Sequence, residues 1–82
     1  MIEMVSVVEN ADNAFAKGIR ELAGRDRREA ARVREEICQV LGGIKRTQYF
    51  ERQRGGIKLS PAERKAVEQI FRRRKVAEPW GL

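Results

Sequence analysis

No histidine occurs in this chain of 82 residues. That removes both the commonest general base and the commonest metal ligand. There is one cysteine, Cys38, so an internal disulfide is excluded and an intracellular setting fits. A thiol nucleophile would want a basic partner, and none of the usual kind exists, so Cys38 reads as a small buried apolar residue. No apolar run approaches the length of a membrane span. The opening, Met1 to Val8, is mildly apolar but holds Glu3 and no basic residue, unlike a signal peptide. A glycine-rich phosphate loop is missing, and so are any internal repeat, low-complexity segment or strong strand signal. The one pair of adjacent carboxylates, Glu35-Glu36, lies beside Arg32 and Arg34, whose charges favour ion pairing over acid catalysis. These features predict a protein that is not an enzyme, with no catalytic residues, metal, cofactor or small-molecule substrate, and with an expected place in the cytoplasm, associated with the nucleoid.

What the chain has in quantity is positive charge, unevenly placed. Its net charge is +6. Residues 1 to 42 carry seven Lys/Arg against eight Asp/Glu, whereas residues 43 to 82 carry eleven against four. A near-neutral half joined to a strongly basic half points to a polyanion partner, because clustered cations release counterions when they meet phosphates. The length suits one small domain, residues 1–82, with a core from about 9 to 72. Charged residues make up 37% of the chain, which leaves a thin apolar core that a second copy or a ligand would reinforce.

Periodicity predicts four helices. Val8, Ala11, Phe15, Ile19 and Leu22 recur at spacings of three and four, which predicts a first helix from about Glu9 to Ala23 with Gly24 as its C-cap. Asp26 is the predicted cap of a second helix, and Glu29 stands three residues on, where a capping box would place it. Ala30, Val33, Ile37, Val40 and Leu41 share its apolar face, and Gly42-Gly43 stops it. A short third helix, about Lys45 to Gln53, has Tyr49 and Phe50 as anchors, with Ile44 leading in, and ends at Gly55-Gly56. The fourth helix has the strongest start signal: Ser60 as N-cap, Pro61 at the first helical position, Glu63 at the box position. Ala66, Val67, Ile70 and Phe71 are its buried stripe, and Arg72 to Lys75 suit the negative end of its dipole. Met1 to Val8 are expected to form a short N-terminal arm or to lead into the first helix, their apolar residues covering the core or pairing with a second copy. The residues beyond Pro79 form a C-terminal tail in which Trp80 anchors against the core or a dimer partner.

The stretch from Gly43 to Lys58 is the most informative. Lys45, Arg46, Arg52, Arg54 and Lys58 surround Tyr49-Phe50, with Glu51 the single acid. An apolar helix that ends at glycine precedes this stretch and a well-capped helix follows it. That is the layout of a helix-turn-helix whose second helix enters the major groove of DNA. In that layout Arg46 or Arg52 would grip a guanine edge, Gln48 an adenine, and Thr47 a thymine methyl or a phosphate. Lys45, Arg54 and Lys58, at the helix ends, would hold phosphates. Glu51 would either accept from a cytosine amine or pair with a neighbouring arginine.

Three runs carry a resemblance: Arg-Glu-Glu-Ile-Cys-Gln-Val-Leu-Gly, Lys-Arg-Thr-Gln-Tyr-Phe-Glu-Arg, and Leu-Ser-Pro-Ala-Glu-Arg-Lys-Ala-Val-Glu-Gln-Ile-Phe. Over about residues 29 to 72 the chain resembles small phage-repressor-type (lambda-repressor-like) helix-turn-helix proteins of Bacteroides-like bacteria and their mobile elements. It departs from them in having two glycines at the turn, and Lys45 where a Ser or Thr cap is common. The resemblance implies an all-α DNA-binding domain with the Lys45 to Gln53 helix as recognition helix. The expected function is sequence-specific binding of double-stranded DNA, as a transcriptional regulator and a homodimer on a two-fold site. The alternative is a protein-interaction module, such as a phage or mobile-element accessory protein, whose basic surface meets an acidic partner.

Overall fold

A computed structural model describes residues 14–81, which are all-helical, with four helices and no strand. The helices are α1 (Ala16–Arg25), α2 (Arg27–Val40), α3 (Arg46–Gln53) and α4 (Pro61–Arg73). The N-terminal arm and residues 9–13 of the expected first helix lie outside the described residues; Ala14 and Phe15, within the expected helix, are not helical, and Phe15 is the N-cap of a helix that starts at Ala16. None of the described helices is long and apolar enough to cross a membrane.

α2 packs along both α1 and α4. Phe15, Ile19 and Leu22 from α1 and its lead-in meet Ala30, Val33 and Ile37 of α2, Tyr49 of α3, and Val67, Ile70 and Phe71 of α4. The Phe15 ring stands edge-on to Tyr49, with centroids 5.7 Å apart, and tilted against Phe71 at 6.2 Å. Two helices, α3 and α4, therefore meet on the ring that leads into α1. Val8 and Ala11 of the first stripe lie outside the described residues; among those described, the predicted stripes match this core except at two positions. Val40 is 49% exposed, because it lies at the last turn of α2, and Ala66 is only partly buried.

The α1–α2 corner is tighter than the sequence suggested. Gly24 sits inside α1, and Asp26 serves as C-cap of α1 and N-cap of α2 at once. Its side chain accepts from the Arg28 backbone N–H at 2.9 Å, while its own N–H donates to the Leu22 carbonyl at 2.8 Å. That N–H is already satisfied, so Glu29 has no donor to close a capping box upon. Glu29 instead faces Arg74 at 3.9 Å.

The core also extends past residue 72. Val76 and Pro79 are buried, and Trp80 packs on the core with the Arg64 guanidinium 4.5 Å from its ring. The tail has a structural task. α1 has no side-chain cap; its Lys17 and Gly18 N–H groups donate to the carbonyls of Gly81 and Pro79 at 3.1 and 3.0 Å. Gly81 donates back to Ala14, and Phe15 donates to Gln53 at the end of α3. Gly18 permits this approach, since a Cβ there would stand 2.7 Å from both Phe71 and Pro79. Two arginines lock the far end of α4. Arg25 donates to the carbonyls of Arg74 and Lys75, and Arg74 pairs with Glu36 at 2.9 Å.

Candidate nucleic-acid interface

The connection from α2 to α3 is closed by backbone geometry. Gly42 has φ +95° and Gly43 φ +72°, in the left-handed region that favours glycine. Gly43 N–H reaches the Cys38 carbonyl at 2.8 Å and Gly42 N–H reaches that of Gln39 at 3.1 Å. These are the paired bonds of a Schellman closure. The second glycine therefore belongs to the turn itself. The same pair of bonds ends α3, where Gly56 donates to Glu51 and Gly55 to Arg52. The short helix is thus held between two identical closures.

Tyr49 anchors α3. It is 2% exposed, and its hydroxyl donates to Gln53 Oε1 at 2.7 Å. Burial pushes its phenol well above the ordinary value of 10.0, while the charge and hydrogen bond of Arg34 act in the opposite direction. With Tyr49 inward, helical geometry points Glu51, about 200° further round, outward, flanked by Thr47 and Gln48. Arg46, Thr47 and Gln48 are exposed, as are Lys45, Arg54 and Lys58. Six of the seven anticipated contact residues therefore lie within the run from Lys45 to Arg54 on or beside α3, five of them exposed and Arg52 half-buried, with Lys58 in the loop beyond.

Several of these side chains are already engaged. Lys45 is the N-cap of α3 but has no acceptor to offer the first turn. Only the return half of a capping box forms, with Lys45 N–H donating to Gln48 Oε1 at 3.2 Å. The Gln48 amide nitrogen remains a donor for an outside partner. Arg46 sits 5.5 Å from the Phe50 ring, which holds its guanidinium near the surface of α3. Arg52 folds back on its own helix and donates to the Gln48 carbonyl at 3.1 Å. Arg54 pairs with Glu51, so the one acid in the stretch is neutralised inside the protein.

A groove of about 430 Å³ opens between α2 and α3, lined by Ala31, Arg34, Glu35, Cys38, Arg46, Tyr49 and Phe50. Sequence periodicity did not reveal it, because its walls come from two helices. Cys38 is half-buried there; burial and then the Glu35 charge push its thiol up, away from nucleophilic use. Among the described residues no group of three or more His, Cys, Asp or Glu side chains is placed to hold a metal ion. No family model matches the chain, and no curated protein or solved structure shows significant similarity to it.

Proposed function

We propose that the protein binds double-stranded DNA sequence-specifically as a transcriptional regulator, with α2 and α3 acting as a helix-turn-helix. The observation that carries the reading is the first turn of α3: Arg46, Thr47 and Gln48 all face solvent, on a helix fixed from behind by Tyr49. A rigid short helix with exposed Arg, Thr and Gln at its start, inside a strongly basic half-chain, matches what major-groove reading needs. In this reading Arg46, Thr47 and Gln48 read bases. Arg52 joins them by exchanging its bond to the Gln48 carbonyl for a base edge. Lys45 and Lys58 hold phosphates, and Arg54 does so while tethered by Glu51. One eight-residue helix covers few base pairs, so two copies of the chain act together on a two-fold site.

Selection of bound duplexes from a random-sequence pool at two salt concentrations tests the reading. An enriched motif that persists at the higher salt supports it, and a palindrome supports the homodimer. Binding without enrichment that falls steeply with salt overturns it in favour of a basic module that meets an acidic protein. Within a positive result, Arg46→Ala costs about 1–3 kcal/mol and relaxes preference at one base position. Lys58→Ala weakens all sequences alike and lowers the salt slope by about 1.

A further inference from the structure

We infer that the groove between α2 and α3 is a binding site for a small monoanion with a flat apolar body, an aromatic carboxylate, and that its occupancy opposes DNA binding. The second half of this rests on the DNA reading above; the first half does not. The groove's volume of about 430 Å³ lies in the ligand-site range of ~300–1,000 Å³. Its chemistry is two-sided. Arg34 from α2 and Arg46 from α3 supply guanidinium groups, while Ala31, Cys38 and the edges of Tyr49 and Phe50 supply apolar wall.

Arg34 carries a second sign of a polar partner. Its Nε is buried and has no hydrogen-bond partner within the protein, a condition it shares with Arg52 Nε, but Arg34 is the one of the two that lines the groove. A buried guanidinium N–H ordinarily has one, and a carboxylate meets it with charge-assisted geometry. Glu35 sets the charge limit. Two arginines and one glutamate leave a single positive charge in the lining, which suits one carboxylate better than a phosphate dianion. Tyr49 and Phe50 pack edge-to-face, centroids 5.2 Å apart and planes at 76°, which gives the groove an aromatic wall for a planar ligand.

Arg46 belongs to both surfaces. It lines the groove and is the first residue of α3, where the DNA reading places a base contact. A carboxylate that draws its guanidinium inward removes it from the groove of DNA. By linkage, DNA must weaken the anion by the same factor that the anion weakens DNA.

The test uses benzoate as probe, benzamide as its neutral isostere, and the full chain followed by amide NMR. Benzoate is expected to give saturable shifts at Ala31, Cys38 and Phe50 and to slow alkylation of Cys38 by N-ethylmaleimide, while benzamide does neither. Arg46→Gln, at an exposed position, is expected to weaken benzoate about tenfold, the size of one charge-assisted hydrogen bond. Ala31→Leu fills the groove from its exposed rim and should abolish the shifts without touching the core. Absence of saturable shifts, equal response to benzamide, or unchanged affinity in both variants would overturn the site. If the site holds, saturating benzoate should weaken the selected duplex at least tenfold; unchanged duplex affinity overturns the coupling alone. If no duplex is selected at all, the DNA reading fails, and the benzoate titration still decides the groove.

Discussion

α3 and α4 begin in contrasting ways. At α4 the local chemistry is complete: the Ser60 hydroxyl accepts from Glu63 N–H at 3.2 Å, Glu63 accepts from Ser60 N–H at 2.9 Å, and Pro61 removes one orphan donor. At α3 a lysine stands in the cap position and only the return bond forms. The first helix relies on neither pattern, because its first-turn donors are met by tail carbonyls. Natural chains commonly break local rules where function asks for it. Here the break falls on the turn that carries Arg46, Thr47 and Gln48. A cation in the cap position costs helix stability and leaves first-turn N–H groups open at a basic surface.

The comparison can be broken or sharpened in steps of falling size. The largest concerns what holds α3 despite its weak start. Tyr49→Ala removes its only fully buried side chain and should cost about 3–5 kcal/mol. Urea denaturation gives the value; a loss below about 1 kcal/mol, the scale of an ordinary single substitution, would mean that the two flanking closures hold α3 by themselves. Next is the tertiary capping of α1. Gly18→Ala drives a methyl into Phe71 and Pro79 and should cost about 1–3 kcal/mol. Gly24→Ala, at a helical position with open space around it, should gain about 0.5–1 kcal/mol. Equal effects from the two substitutions would remove the tail from the account of α1.

The caps themselves come next. Ser60→Ala should cost about 1 kcal/mol. Lys45→Ser, which supplies the missing acceptor, should raise thermal stability by about 0.5–1 kcal/mol and at the same time weaken the proposed DNA binding. Stabilisation with undiminished DNA affinity would show that Lys45 is a poor cap with no compensating role. The last effect is confined to alkaline pH and is absent at neutrality. The Tyr49 phenol is raised in the folded state, so its neutral form is favoured by folding. That contribution is complete below the ordinary value of 10.0 and declines as pH rises above it, since the unfolded chain ionises first. Tyr49 is the only tyrosine, so phenolate absorbance follows it alone. Ionisation at the ordinary value in the folded protein would contradict its burial.

Much of the helix plan was legible because it is written in local terms. Spacings of three and four placed Phe15, Ile19, Leu22, Ala30, Val33, Ile37, Val67, Ile70 and Phe71 inward, where they are found. Ser60, Glu63 and Asp26 signal caps through bonds that span only two or three residues, so no distant partner is needed to recognise them. The candidate site was legible in composition, with its basic residues gathered around Tyr49-Phe50. Its engagements were less so. Arg54 with Glu51, and Arg52 with the Gln48 carbonyl, are local and could be anticipated from spacing. The groove beside them was not, because it needs the separation of α2 and α3.

The sequence by itself determined that the described chain is helical, where three of its four helices start, and that its positive charge lies in the second half. Those properties follow from backbone propensity, short-range capping and composition, which act within a few residues. Only the tertiary structure decided that Gly24 continues α1 and that Gly18 is crowded by Phe71 and Pro79. It also decided that Val40 stays exposed and that the tail caps α1 while Trp80 meets Arg64. Each of those depends on which surface another element covers, and coverage is set by packing between residues far apart in the chain.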